Sequence, residues 1–179
     1  MSMAASRPAF SNHVRLIVVM GVSGSGKTSV GERLAARYGV RFVEGDALHP
    51  RRNVEKMAAG IPLEDEDRWP WLDRLGAELA AARRKGVGLI VSCSSLKKAY
   101  RDRLRQATGG GLAFVFLQGT PELLRARLAG RLGHFMPASL LDSQLAALED
   151  PSGEEGVMPV DIALSPGEIV KTVSRELAR

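Results

Sequence analysis

The stretch Gly21-Val-Ser-Gly-Ser-Gly-Lys27-Thr28 follows the apolar run Leu16–Met20 and opens a segment with helical periodicity, Lys27–Tyr38. It matches the pattern G-x-x-x-x-G-K-[ST] at every defined position, and a strand before it and a helix after it are the surroundings that this pattern requires. Small residues let the backbone curl so that successive N–H groups point inward at phosphate oxygens, and the helix adds its positive N-terminal end. The stretch is therefore predicted to form a phosphate-binding loop (P-loop).

Two side chains extend the chemistry of the P-loop. Lys27 can bridge the outer phosphates of a nucleoside triphosphate as a point charge, and the Thr28 hydroxyl can ligate Mg²⁺. We therefore expect ATP and Mg²⁺, although motors, switches and small-molecule kinases all use this loop. The residues predicted to contact the nucleotide here are Gly21, Val22, Ser23, Gly24, Ser25, Gly26, Lys27, Thr28 and Ser29.

The composition favours a small globular protein that binds anionic small molecules. The chain has 179 residues, of which 45% are hydrophobic and 25% charged, values typical of one ordinary domain. No apolar run approaches the ~20 residues that span a bilayer, and the single cysteine, Cys93, excludes an internal disulfide and a multi-cysteine zinc site. The net charge of +5 comes from basic residues interleaved with acids, and aromatics are only 5%. We therefore expect a cytoplasmic protein with neither a nucleic-acid nor a membrane partner.

Strand and helix patterns alternate along the chain after residues 1–13, which are predicted to be a disordered leader. Most strand candidates are apolar without alternation, as in parallel strands that are covered on both faces. The alternation predicts an α/β fold for residues 14–179, a single domain built on a parallel sheet with right-handed crossovers. The predicted strands are Leu16–Met20, Arg41–Glu44, Gly88–Cys93, Leu112–Leu117 and Val160–Leu164. The predicted helices are Lys27–Tyr38, Asn53–Ala59, Trp69–Lys85, Leu96–Ala107, Pro121–Ala129, Ser139–Leu148 and Gly167–Leu177.

Asp46 follows the second predicted strand at the edge of the sheet where ligands of open α/β folds bind. It is predicted to accept a proton from an attacking hydroxyl and to help hold Mg²⁺ with Thr28. The alternative is an aspartate that caps a helix or turn, and Glu44 is interpreted as structural. No acid ends the strand Gly88–Cys93, and the chain has no room for domains that couple hydrolysis to movement. These features favour a compact phosphotransferase over a switch or a motor.

Several polar residues beyond Asp46 are candidates for contact with the phosphate acceptor. Lys97 and Arg101 are four residues apart and would share a helix face. For each residue alone, the alternative is a charge on the solvated surface. The acceptor-side residues are predicted to be Asp46, His49, Lys56, Arg68, Ser94, Lys97, Arg101 and His134.

A basic, glycine-flanked loop follows the helix Pro121–Ala129, and it is predicted to form a lid at about residues 130–138. Such a loop can fold over the phosphates, exclude water and supply charge to the transition state. Arg131 is predicted to act as the catalytic cation of this lid, together with Lys27 and Asp46 in the cleft. Arg127 is predicted to stack on the nucleotide base. The alternative is an ordinary basic connection between two helices.

Five motifs together resemble the gluconokinase family, the small P-loop enzymes that phosphorylate D-gluconate. The narrowest motif is Glu44-Gly-Asp46-Ala-Leu-His49-Pro-Arg-Arg-Asn-Val-Glu-Lys56-Met57, and the P-loop precedes it. The others are Pro62-Leu-Glu-Asp-Glu-Asp67-Arg68, Ser95-Leu-Lys97-Lys-Ala-Tyr100-Arg101-Asp102, and Gly133-His134-Phe135 with Gln144 before Leu148-Glu149. The chain departs from the family pattern at Ala99, where a histidine is expected, and at Leu132, where a basic residue is common.

The resemblance implies a fold of the nucleoside-monophosphate-kinase type, with a five-stranded parallel sheet and a lid. It implies transfer of the ATP γ-phosphate to the 6-hydroxyl of gluconate, which feeds 6-phosphogluconate to the pentose phosphate pathway, and it implies a homodimer. Gluconate carries one fixed charge, so a planar donor should grip its carboxylate, and Arg68, next to Trp69-Pro70 at a helix start, is the best candidate. The alternatives are a shikimate-kinase-like enzyme acting on another hydroxy acid and a nucleotide-dependent nucleic-acid-binding module.

Overall fold

Five parallel strands form the sheet in the computed structural model, which describes residues 15–131 and 138–179. The strands are β1 (Leu16–Met20), β2 (Arg41–Val43), β3 (Leu89–Ser92), β4 (Leu112–Gln118) and β5 (Val157–Asp161). Their order is β2-β3-β1-β4-β5, and every neighbouring pair is parallel. The α/β prediction is confirmed, with β1 in the centre of the sheet and buried along its whole length.

Helices connect the strands and cover both faces of the sheet. They are α1 (Lys27–Tyr38), α2 (Arg51–Ala58), α3 (Asp65–Arg84), α4 (Lys98–Thr108), α5 (Pro121–Ala129), α6 (Ala138–Ala147) and α7 (Pro166–Glu176). Helices α3 and α4 pack against each other, as do α1 and α7, and right-handed crossovers place the two pairs on opposite faces. Within the described ranges, no helix is long and apolar enough to cross a membrane.

The start of α3 differs from the sequence prediction. The helix begins at Asp65, not Trp69, and Pro70 lies inside it. Acidic residues fill its first turn, where they interact favourably with the helix dipole, and the Asp67 carboxylate accepts a hydrogen bond of 3.0 Å from the Glu64 N–H. The prediction that Trp69-Pro70 marks a helix start is therefore wrong, and Arg68 lies within the first two turns.

Three polypeptide segments meet at the carboxyl edge of the sheet. The P-loop follows β1, a 3₁₀ turn at Gly45–Leu48 follows β2, and Cys93–Leu96 follows β3. The turn lies so close to β3 that a Cβ added at Gly45 would stand 1.9 Å from the carbonyl oxygen of Ser92. The indole N–H of Trp71 donates to the Gly45 carbonyl at 2.8 Å. The turn that carries Asp46 is thus fixed against both β3 and α3.

Two predicted features lie outside the described residues: the leader at residues 1–13 and the central part of the lid. The latter includes Leu132 and His134. The structure describes Arg131 at one end of that segment and α6 at the other.

Candidate active site

The P-loop has the curled backbone that phosphate binding requires. Gly24 and Gly26 have φ angles of 82° and 91°, a region that favours glycine. The Ser25 N–H donates to the Val22 carbonyl at 3.2 Å, which closes the turn. The Ser25 hydroxyl is buried and has no hydrogen-bond partner among the described residues. A loop of this shape offers donors to an anion.

Lys27 lies over the P-loop and faces the turn after β2. Its Nζ donates to the Val22 carbonyl at 3.0 Å. Burial lowers the pKa of Lys27, and the nearby carboxylates of Asp46 and Glu44 oppose this shift. The Arg131 guanidinium is close enough to lower the pKa of Lys27 as well. Two cations and two carboxylates therefore surround the mouth of the loop.

Glu44 faces the P-loop, which the sequence prediction missed. Its carboxylate accepts short hydrogen bonds from the hydroxyls of Thr28 and Ser92. The Ser92 hydroxyl also accepts the Gly45 N–H at 3.0 Å. Carboxylate and hydroxyl oxygens are hard ligands of the kind that Mg²⁺ prefers. Thr28 and Glu44 thus place two oxygen ligands side by side at the mouth of the loop, and the predicted pair Thr28 and Asp46 stays a prediction.

Asp46 stands at the open side of the same turn. Its side chain is 68% exposed, and its Oδ1 lies 4.0 Å from Nε2 of His49. The cleft that it borders is also lined by Lys27 of the P-loop. This position leaves the carboxylate accessible to a ligand, as a proton acceptor requires.

His49 is held as a neutral imidazole. Its ring stacks on Trp71 at a centroid distance of 4.0 Å, and burial together with the Arg68 guanidinium lowers the pKa of His49 to about 4. The Asn53 amide nitrogen donates to the Asp67 carbonyl at 2.8 Å and lies 3.2 Å from His49 Nδ1. Because that carbonyl can only accept, the Asn53 nitrogen is a donor and Nδ1 must accept. The proton of His49 is therefore on Nε2, on the side of Asp46.

The cleft between the P-loop and α3 brings together residues from distant parts of the chain. Six of the predicted site residues line it: Ser23, Lys27, Asp46, His49, Arg68 and Ser94. Met57, Leu63 and Gln144, which were not predicted, line it too. Its walls are polar toward the phosphate loop and partly apolar toward α2.

Arg68 lines this cleft, and no carboxylate among the described residues forms a direct ion pair with it. The residue is only 8% exposed, and it forms no ion pair or hydrogen bond within residues 15–131 and 138–179. Its guanidinium lies 5.5 Å from the centroid of the Tyr100 ring. The stem of Arg68 is buried while its guanidinium lines the cleft without a hydrogen-bond partner in the described part of the chain, so its planar fork is available to an anion such as a carboxylate.

Three cations that were predicted to contact the acceptor are engaged elsewhere. Lys56 pairs with Asp67 at 2.8 Å, and Lys97 pairs with Asp65 at 2.9 Å. Arg101 is fully buried, where it donates to both Glu154 carboxylate oxygens and to three backbone carbonyls. The prediction for Arg101 is wrong because its guanidinium is fully used in joining α4 to the segment after β3 and to the segment before β5.

The other end of the P-loop is bordered by Arg127. Its Nη2 donates to the Ile162 carbonyl at 2.5 Å, and its Nη1 is the nearest atom, at 3.9 Å, to a Cβ added at Gly26. Arg127 thus lies beside the loop at the side away from Asp46, and Arg131 is exposed two positions after α5.

Gln144, like Glu44, contacts the P-loop although it was not among the predicted site residues. Its side-chain oxygen accepts the Ser23 N–H at 2.8 Å, so α6 contacts the P-loop directly. Only its place in the family motif, before Leu148-Glu149, marked it in the sequence. A side-chain oxygen on a P-loop N–H occupies a donor of the kind that phosphate oxygens use.

A parallel sheet with a P-loop after its central strand and an acidic turn beside it defines a P-loop kinase. Residues 16–151 match the family model described as an AAA domain. Among proteins of known name, the chain is 47% identical to a gluconokinase of Gluconobacter oxydans, with 90% of each chain covered. The chain belongs to the gluconokinase family.

Solved structures agree with this assignment. A gluconokinase from Sinorhizobium meliloti is 55% identical, with a TM-score of 0.85 and 92% of each chain covered. A sugar kinase from Janibacter is 43% identical, with a TM-score of 0.88, and the match covers 93% of this chain and 95% of that one. The predicted family and fold class are confirmed.

The neutral state of His49 predicts a specific pH dependence of stability. Its pKa of about 4 lies below the ordinary 6.5, so the unfolded chain binds this proton first and stability falls as the pH drops from 6.5 to 4. Between these values the wild type should lose about 3 kcal/mol more unfolding free energy than His49→Gln. Urea unfolding at pH 7, 5.5 and 4 measures the difference. Parallel pH profiles for the two proteins would contradict the assignment.

Proposed function

We propose that this protein transfers the γ-phosphate of ATP to the 6-hydroxyl of D-gluconate. The observation that carries the proposal is the unpaired guanidinium of Arg68, a largely buried residue that lines the same cleft as Lys27 and Asp46. A P-loop on one element of the cleft and an unpaired guanidinium on another, α3, suit an acceptor that carries both a hydroxyl and a carboxylate. The similarity to named gluconokinases supports this reading.

In the proposed phosphoryl transfer, each charged side chain of the cleft has a separate role. Arg68 binds the gluconate carboxylate, and the hydroxyl at the far end is aimed at the γ-phosphorus. As the new O–P bond forms and the bond to the β-phosphate oxygen breaks, Asp46 accepts the hydroxyl proton and ADP leaves with the bonding electron pair. Lys27 and Arg131 stabilise the charge on the transferring group.

His49 and Ser94 orient the acceptor. The Nε2–H of His49 is a donor on the cleft side, and the Ser94 hydroxyl can donate or accept. A polyol needs both kinds of partner along its length. A neutral imidazole also avoids a second cation beside Arg68 that would compete for the carboxylate.

Magnesium would be held by Thr28 and Glu44, with Asp46 contributing through water. When bound, the ion would neutralise charge on the β- and γ-phosphates. Arg127 would stack on the base, and residues 130–138, including His134, would close over the phosphates. The family resemblance also supports a homodimer and a place in gluconate utilisation.

A panel of acceptors tests the proposed function. We expect ATP- and Mg²⁺-dependent release of ADP with D-gluconate and very little with glucose, which has no carboxylate for Arg68. A coupled ADP assay on the purified protein measures this, and product phosphorylation at the 6-position is checked by NMR. Lys27→Ala, purified in the same way, controls for contaminating kinases. Equal rates with glucose, or a preference for another hydroxy acid such as shikimate, would refute the proposal.

Asp46→Asn tests the proton acceptor. The amide keeps the shape of the carboxylate but cannot take the proton, so kcat should fall ~10²–10⁴-fold while the KM for gluconate changes little. Steady-state kinetics with both substrates varied give the two values. Asp73→Asn, which alters a carboxylate paired with Arg103 outside the cleft, should behave like the wild type. A rise in KM alone would make Asp46 a binding group only.

Arg68→Lys tests carboxylate recognition. Lysine keeps the charge but loses the planar fork, so the KM for gluconate should rise about tenfold. The KM for ATP should stay the same because Arg68 lies on α3, away from the P-loop. Arg103→Lys is the matched control, since Arg103 makes a bidentate pair with Asp73 at the surface. A parallel rise in both KM values would show that Arg68 supports the fold instead.

A further inference from the structure

Arg68 has an acid of opposite charge within reach on its own helix, yet the two do not pair. Asp65 precedes Arg68 by three residues at the start of α3, a spacing at which side chains are neighbours and ion pairs commonly form. Asp65 instead accepts a hydrogen bond of 2.9 Å from Lys97 Nζ and a short one from the Tyr100 hydroxyl. Both donors come from the segment after β3, more than thirty residues along the chain.

The Tyr100 ring is the common neighbour of these charges. The Arg68 guanidinium lies 5.5 Å from the ring centroid, and Lys97 Nζ lies 5.8 Å from it. The hydrogen bonds from Tyr100 and Lys97 lower the pKa of Asp65, and the Arg68 charge lowers it further. Asp65 is therefore ionised at neutral pH and close enough to interact with Arg68 electrostatically.

The charges at this corner of the cleft determine what Arg68 can bind. With Lys97 in place, Asp65 and Lys97 compensate each other's charge. No carboxylate of the described ranges is then paired with the positive charge of the Arg68 guanidinium. Without the Lys97 charge, the nearest cation to Asp65 is Arg68 itself. An Asp65–Arg68 pair would leave this corner neutral and would occupy the fork that a ligand carboxylate needs.

We propose that Lys97 is a specificity-determining positioning residue, which engages Asp65 so that Arg68 stays unpaired for the carboxylate of the acceptor. This inference rests on the proposed function, in which Arg68 binds that carboxylate. Lys97 then acts without touching the substrate. This indirect role replaces the direct contact with the acceptor that the sequence predicted.

Two substitutions test the proposal: the first removes the charge of Lys97, and the second should restore the KM for gluconate. Lys97→Met keeps the aliphatic stem and removes the charge, so Asp65 should capture Arg68 and the KM for gluconate should rise about tenfold. The KM for ATP and kcat at saturating gluconate should not change. Adding Asp65→Asn removes the competing carboxylate but keeps an acceptor for the Tyr100 hydroxyl. The double variant should return the KM for gluconate to the wild-type value.

Matched variants separate this effect from a loss of structure. Lys98→Met removes the neighbouring lysine, whose partner Asp102 lies on α4 at 2.5 Å, and should leave both KM values unchanged. Thermal melting checks that each variant is folded, and Lys97→Gln repeats the test if Lys97→Met is not. A raised KM that Asp65→Asn does not rescue would mean that Lys97 binds gluconate directly, and it would overturn the proposal. An unchanged KM in Lys97→Met would overturn it too.

A crystal structure of Lys97→Met makes the test independent of the reaction. The proposal expects the Arg68 guanidinium within hydrogen-bonding distance of the Asp65 carboxylate in the variant, and an unpaired Arg68 would refute it. If the wild type does not phosphorylate gluconate, the proposed function fails, and this structure still decides whether Lys97 controls the pairing of Arg68.

Discussion

The side chain of Ser92 connects the three strand ends on which the active site depends. Its hydroxyl donates to Glu44 and accepts the N–H of Gly45. Because Glu44 also accepts from Thr28, one chain of hydrogen bonds joins β3, the turn after β2 and the helix that follows the P-loop. The close approach of Gly45 to the Ser92 carbonyl leaves no space for a side chain there. The position of Asp46 relative to the P-loop therefore follows from the end of β3.

In the proposed function, the cleft separates two kinds of anion recognition. Phosphate would meet backbone N–H groups and Lys27, whereas a carboxylate would meet the planar fork of Arg68. The neutral imidazole of His49 and its stacking partner Trp71 belong to the wall of the same cleft. A protonated His49 at that position would add a second cation to the wall of the cleft, and a carboxylate would no longer be directed to Arg68 alone. The hydrogen bond from Asn53 and the low pKa of His49 thus serve the same selectivity.

The sequence predicted the parts of the site that depend on local pattern. The P-loop, the strand β1 and the helix α1 follow from a contiguous motif, and Asp46, His49 and Arg68 lie in short motifs at the edge of the sheet. The engagement of Lys56, Lys97 and Arg101 could not be predicted, because their carboxylate partners lie 11, 32 and 53 residues away. The contact between Glu44 and Thr28 could not be predicted, because the 3₁₀ turn after β2 determines which acid faces Thr28. Gln144 reaches the P-loop from a helix 121 residues distant.

Helix α3 joins the substrate side of the cleft to the hydrophobic core. The same helix carries Arg68 near its start and then Leu72, Leu75 and Leu79, all of which are completely buried. Its 20 residues extend about 30 Å, so the anion-binding end cannot shift without shearing that packing. Within the described residues, the part of the cleft wall that carries Arg68 is therefore coupled through one continuous helix to the packing of the core.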